Sequence, residues 1–377
     1  MSRPDEPVIA HVAGRELPSE DLVVPAPPRR PLLLRLLYLV LGLALFVAAL
    51  GLMRAGATEL IPALEGSVFT DNAWSTLGLG WLGACLVLSG SPVAASALSL
   101  LDGGAIDRTE SFTMLVGSRL GAAFVVLVVG VVYALRGTGV GITRRAPISI
   151  GILSLFMTAV VYVPGAVLGY LVLEQGFLDD LPIDTVPALN SLTDTLFGWS
   201  VDLVTELLPG WTLFPIGLGV LLLGFHFFDK VLPTIGSERF TERGDAWYTR
   251  KWPMFIVGSA VTVLTLSVAV SLTLLVPLVA KGYLRRANTL PYIAGANITT
   301  LIDTLVAAIL LGDQDAVRVV VAVTLAVTVW TVTLLAFAYP ALRRVCLGFT
   351  RTVLESNLRL SVFAAVLLLV PVTLIVL

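Results

Sequence analysis

Gly295-Ala296-Asn297-Ile298-Thr299-Thr300, followed one turn later by Asp303, is the stretch whose reading decides the fold. It lies inside an apolar run, where glycine, asparagine, threonine and aspartate are costly. Polar groups in hydrocarbon need partners, and they usually mark a substrate or ion path. Subtracting 178 from each number carries Gly295 to Gly117 and Ile298 to Leu120. The same step carries Gly258 to Gly80, Ser267 to Ser89 and Gly282 to Gly104. One spacing aligns these small or polar landmarks, so the chain reads as an internal repeat. Membrane folds built from two such repeats place their binding site at the repeat interface, near mid-depth.

Composition sets the class. The chain has 377 residues, 57% apolar and 13% charged, with a mean hydropathy of +0.94. That is a polytopic membrane protein in contact with a lipid bilayer, not a soluble domain. A formal net charge of −2 gives no basic surface for nucleic acid. Cys85 and Cys346 lack metal or redox spacing and read as buried apolar residues. His226 lies in an apolar segment, where it serves either packing or proton relay. Ser91 and Ser267 have no nearby histidine to activate them, and no nucleotide loop appears, so the chain does not read as an enzyme. No cofactor is expected beyond a coupling ion.

The charges order the segments. Residues 1–31 are polar and proline-rich and read as a disordered cytoplasmic tail. Arg29, Arg30 and Arg35 hold the start of a first span, 32–53, on the cytoplasmic side. Residues 54–74 carry Glu59, Glu65 and Asp71 and suit the outside. Two apolar segments follow, about 75–100 and 111–135, and then Arg136, Arg144 and Arg145 mark the inside. Two full crossings would not connect these loops. The conflict disappears if 75–100 is a re-entrant hairpin, broken at Ser89-Gly90-Ser91-Pro92. Residues 147–173 cross outward, 174–210 reads as an acidic amphipathic helix on the outer interface, and 211–229 crosses back. The basic loop 230–252 is inside, so the second repeat is inverted. By the same logic 253–280 is a hairpin, while 291–312, 316–338 and 358–377 cross. Repeat 1 is thus about 32–173 and repeat 2 about 211–351, with an extra C-terminal helix at 358–377. The expected fold is all-α and polytopic: two inverted-topology repeats, each with a re-entrant hairpin and a broken helix.

At these residues the chain resembles the sodium/phosphate cotransporter family. That family carries two inverted copies of a Gln-Ser-Ser-Ser hairpin, each followed by a Gly-(Ser/Ala)-Asn-Ile-Gly-Thr-Thr helix start. The second copy here is Gly295-Ala296-Asn297-Ile298-Thr299-Thr300, and the first is Gly117-Ser118-Arg119-Leu120-Gly121-Ala122. Pro277, Gly282 and Pro291 also fall where the family's second copy has them. The hairpin motif falls on Leu88-Ser89-Gly90-Ser91 and on Leu266-Ser267-Val268-Ala269, so both glutamines are lost. Arg119 stands where the family has asparagine, and Asp303 where it often has threonine. The resemblance implies a plasma-membrane symporter of phosphate or a similar inorganic anion. It also implies that Ser89, Gly90, Ser91, Gly117, Ser118, Arg119, Ser267, Gly295, Ala296, Asn297, Thr299 and Thr300 surround the substrate. Asn297, Thr300 and Asp303 are the candidate sodium ligands. With both glutamines gone, a non-transporting regulatory relative or a passive anion pathway of the same fold is the alternative.

Physical chemistry sharpens the roles. Gly117 and Gly295 are expected where a broken segment restarts as a helix, whose free N–H groups would receive an anion; close helix packing is the competing role. A guanidinium in mid-segment costs several kcal/mol without a partner. Arg119 therefore grips the anion, replaces a sodium ion with a fixed charge, or pairs with Asp303. Thr299, Thr300 and Asp303 share one face of a regular helix and could offer oxygen ligands. A permanent cation beside a sodium site predicts weak or absent sodium dependence.

Overall fold

The structure, a computed structural model, describes residues 32–64, 67–70, 72–136, 142–179, 203–204, 206–231, 250–280 and 284–377. Within them the regular elements are helices. The first half contains α1 (Leu32–Leu64), α2 (Ala73–Val87), α3 (Ser91–Asp102), α4 (Arg108–Ala122), α5 (Phe124–Arg136) and α6 (Ile142–Glu174). The second contains α7 (Gly210–Val231), α8 (Lys251–Thr265), α9 (Val268–Thr273), α10 (Leu275–Ala280), α11 (Arg286–Thr299), α12 (Leu301–Leu311) and α13 (Gln314–Phe337). Two further helices follow, α14 (Tyr339–Leu354) and α15 (Asn357–Val376). Seven helical stretches among the described residues are long and apolar enough to cross a bilayer, with α4–α5 and α11–α12 each counting as one. The protein is an all-α polytopic membrane protein.

The expected segment order holds, with three differences. The first span does not stop at residue 53; α1 continues to Leu64, because its far end packs on α7 at Gly56, where a Cβ would lie 2.2 Å from the Phe214 nitrogen. The stretch after 338, between two expected spans, forms a helix of its own. In α14 the side chains of Leu342, Cys346, Thr350 and Val353 are buried at helical spacing, while Arg343, Arg344 and Arg351 face outward. The returning arm of the second apolar pair is split at Leu274 into α9 and α10. The N-terminal tail, most of the acidic 174–210 stretch and the basic loop before residue 250 lie outside the described residues.

The chain doubles back where Ser89-Gly90-Ser91-Pro92 interrupts it. Asn72 starts α2 by accepting from the Trp74 and Ser75 nitrogens at 2.8 and 3.0 Å. Leu88 ends it in the left-handed region at φ 57°. Pro92 then sits in the first turn of α3, where its missing N–H is harmless. The arms are oriented by their contacts with α4. Thr76 bonds Thr113 at 2.7 Å. A Cβ on Gly121 would lie 2.3 Å from the Trp81 carbonyl, so α2 and α4 run parallel. Ser111 donates to the Ala97 carbonyl at 3.2 Å, while Gly90 lies against Ser118 and Ala122, so α3 runs the other way. The tip therefore stops level with Ser118–Ala122, midway along the 28-residue stretch Arg108–Leu135.

The second half repeats this geometry at the same offset. α2 and α8 have matching bounds, and the positive-φ non-glycine residues among those described are Leu88 and Leu266. A Cβ on Gly80 would lie 2.1 Å from the Met114 carbonyl; on Gly258 it would lie 2.2 Å from that of Tyr292. All three pairs are 178 apart. The returning arm of each hairpin packs on the far half of the other copy's long stretch, α3 on α12, and α9 and α10 on α5.

Ion pairs fix the relative direction. At one end of the bundle Arg108 meets Asp179 at 3.2 Å and Asp315 at 2.5 Å, and Arg318 meets Asp315 at 3.1 Å. At the other end Lys251 donates to the Leu335 carbonyl at 2.7 Å and Tyr339 to that of Ala287 at 3.4 Å. The α4–α5 stretch therefore begins where α11–α12 finishes, and the two run antiparallel.

Gly117 and Gly295 are predicted to be intolerant of alanine, because a Cβ would lie 2.1 Å from the Leu77 carbonyl and 2.3 Å from the Phe255 carbonyl. Each change is expected to cost about 1–3 kcal/mol by overpacking. Thermal unfolding in detergent should show a lowered midpoint for both, and almost none for Gly83→Ala, whose Cβ would meet the Val93 side chain at an ordinary 3.4 Å.

Candidate functional site

Arg119 is the largest fully buried side chain described, with 2% of its surface exposed. The helix that presents it is firmly started: Asp107 accepts from the Glu110 nitrogen and Glu110 from the Asp107 nitrogen, both at 2.7 Å. This capping box satisfies two otherwise free donors. The Arg119 side chain then reaches across to the other copy. Nη1 donates to Thr300 Oγ1 at 3.2 Å, Nη2 donates to Thr304 Oγ1, and Nη2 lies 3.5 Å from Asp303 Oδ1. Thr304 Oγ1 in turn donates to Asp303 Oδ1 at 2.9 Å. Residues 300, 303 and 304 share one helix face by their three- and four-residue spacing. Of the roles open to Arg119, pairing with Asp303 is the one formed directly.

Next to this pair stands Asn297. Its side-chain amide nitrogen donates to Thr158 Oγ1 at 3.1 Å, and its backbone carbonyl accepts from the Tyr162 hydroxyl at 2.6 Å. Thr158 and Tyr162, one turn apart on α6, were not singled out from the sequence. Their signal was legible as a polar pair at helical spacing inside an apolar run. Thr304 was likewise missed, although it lies four residues after Thr300.

Several expected site residues are used otherwise. Gly117 and Gly295 do not start helices. Both lie inside them, α4 and α11, pressed against α2 and α8, and the interruptions come later, at Ala123 and Thr300. Their N–H groups are therefore not free to receive an anion; the glycines let backbones approach closely. The expected shared face of Thr299, Thr300 and Asp303 also splits. Thr299 Oγ1 bonds the Ser259 and Gly295 carbonyls at 3.2 and 3.0 Å, drawn toward α8, while Thr300 and Asp303 face Arg119. Ser118 donates to the Leu115 carbonyl at 2.7 Å, and Ser267 accepts from the Val270 nitrogen at 3.3 Å as the cap of α9. Ser91 is buried in the first turn of α3 and Ala296 is buried in α11, while Ser89 is half-buried at the hairpin tip. Gly90 brings that tip against Ser118, the neighbour of Arg119.

The two copies are chemically unequal. The positions matching Thr300, Asp303 and Thr304 are Ala122, Val125 and Val126. In the second hairpin Thr262 donates to Ser271 at 2.7 Å, and Ser271 bonds Tyr292 at 2.9 Å. Their counterparts Ala84, Val93 and Met114 form an apolar cluster. At these matched positions the polar groups belong to the second half; the first contributes Arg119, and Thr158 and Tyr162 from α6. Among the described residues no group of three or more His, Cys, Asp or Glu could hold a metal ion. The candidate sodium ligands are a different donor set, one carboxylate with a hydroxyl and an amide, and the guanidinium of Arg119 already holds two of them.

The polar half is also the half that is similar to a known family. Residues 220–373 match the Na+/Pi-cotransporter family. The match supports membership of the chain in the sodium/phosphate cotransporter family, and it contains Asn297, Thr300, Asp303 and Thr304. This is a family of transporters and not of enzymes. No curated protein and no solved structure matches the chain.

Removing one member of a buried ion pair strands the other. Arg119→Ala and Asp303→Ala are each expected to cost about 3–5 kcal/mol, and the double change less than their sum. A double-mutant cycle on unfolding midpoints measures the coupling; additive losses would deny the pair.

Proposed function

We propose that the protein is a secondary transporter of an inorganic anion, phosphate first, working by alternating access of two inverted repeats in the plasma membrane, with its N-terminus cytoplasmic. The observation that carries this reading is the reach of Arg119 from one copy to Thr300, Asp303 and Thr304 of the other. A charged locus at a repeat interface is where two-repeat transporters bind their substrates. The antiparallel long stretches and the two hairpins that turn back at mid-length support the inverted topology. The family match supports phosphate and sodium cotransport in general.

Sodium coupling is weak in this reading. The Arg119 guanidinium takes up oxygens of Thr300 and Asp303 that a sodium ion would need. Two like charges about 4 Å apart repel by about 4 kcal/mol at an effective dielectric near 20. A tethered cation thereby does part of what a bound sodium would do. The second reading, a passive pathway or a non-transporting regulatory relative, draws on the loss of both hairpin glutamines.

Labelled phosphate uptake by reconstituted protein decides among these. Saturable uptake and counterflow are expected, changing less than about threefold when choline replaces sodium, against the several kcal/mol of that repulsion. Uptake that falls to background without sodium would defeat the tethered-cation reading. Non-saturable flux without counterflow would favour the passive pathway, and no flux the regulatory relative. The topology has its own check: introduced cysteines at Asp179 and Asn357 are expected to label from opposite sides of the membrane. The two native cysteines are buried and should not interfere.

A further inference from the structure

Two atoms at the centre of the Arg119–Asp303 pair have no hydrogen-bond partner: Arg119 Nε and Asp303 Oδ2. Both side chains are more than nine-tenths buried. Their other polar atoms are engaged, Nη1 and Nη2 with the two threonines and Oδ1 with Thr304 and the guanidinium. One free atom is an obligate donor, because guanidinium has no acceptor. The other, as part of the carboxylate paired with Arg119, is an acceptor only. A single small ligand that reached both would offer an acceptor to the first and a donor to the second.

We infer that this pair reads a hydroxyl-bearing tetrahedral oxyanion, with Arg119 Nε donating to an oxyanion oxygen and Asp303 Oδ2 accepting the proton of the anion's own hydroxyl. Hydrogen phosphate and arsenate carry that hydroxyl at neutral pH. Sulfate and selenate do not, and would set a lone-pair oxygen against the carboxylate. Because the pair has no net charge, it does not favour every anion alike; the hydrogen bond makes the distinction. Asp303 is thus a specificity-determining residue. This rests on the anion-transport reading and adds to it the means of selection.

The test uses the full-length protein in proteoliposomes, with labelled phosphate uptake challenged by arsenate, sulfate or selenate. Arsenate is expected to compete near parity with phosphate, and sulfate and selenate at least about tenfold less well, since a buried acceptor left unpaired rejects the analogue that lacks the hydroxyl. In Asp303→Asn the Thr304 hydroxyl keeps the amide oxygen at the Oδ1 position, so an N–H group replaces Oδ2. That variant is expected to gain on sulfate relative to phosphate by about tenfold or more. If it does not fold, the wild-type competition still decides. Sulfate competing as well as arsenate in the wild type would overturn the selection and leave the transport reading standing. Absence of uptake of any anion would overturn both.

Discussion

An arginine near the middle of a membrane-spanning stretch has to be answered by a counter-charge, and the centre of this protein is arranged around that requirement. Arg119 lies among the residues level with the tip of the first hairpin and is almost wholly out of contact with solvent. Desolvating a charge costs several kcal/mol even after relaxation, and only a well-placed partner offsets it. That partner comes from the other half of the chain, on a face where two threonine hydroxyls flank the carboxylate. The two copies are thereby joined by an interaction that neither could make alone.

The hairpins bring the necessary residues to the same depth. Each turns at a leucine in the left-handed conformation, Leu88 and Leu266, an arrangement that costs roughly 1–2 kcal/mol for a residue with a Cβ. The two strained residues stand 178 positions apart, the offset that also separates the bounds of α2 and α8. Glycines at matched positions then let each hairpin's first arm lie against the long helix beside it, backbone to backbone. The result is two similar frames carrying different chemistry. One holds Ala122, Val125 and Val126 where the other holds Thr300, Asp303 and Thr304. Similar backbones with different side chains together give a buried cluster in which one cation from the first half meets oxygens of the second.

Much of this architecture could be read before any coordinates, since hydropathy located the spans and Ser89-Gly90-Ser91-Pro92 marked the break at which the chain doubles back. The 178-residue offset, found from a few small residues, recurs in the helix bounds. Of the candidate site, Arg119, Asp303 and Thr300 do come together, while Asn297 is bonded to Thr158 and Tyr162. The glycines of the motif were misread as helix starts because glycine suits both a break and a close crossing, and one-dimensional spacing does not tell them apart. Thr299 was misplaced because its hydroxyl could turn either to the carbonyl four residues back or outward to Asp303. The far end of α1 and the amphipathic α14 were missed because they are less apolar than the spans, and burial by packing is not visible in composition.

The sequence by itself determined the class, the number and order of the spans and the need for Arg119 to find a partner. Those follow from local properties: the hydrophobicity of a segment, the sign of a loop's charge and the cost of one buried ion. Only the tertiary structure decided which partner Arg119 takes, that Thr158 and Tyr162 hold Asn297 from a third helix, and that one atom on each side of the ion pair has no hydrogen-bond partner. Those depend on which faces of distant helices meet, and the pairing of residues 181 and 185 positions apart is set by packing that no local pattern encodes.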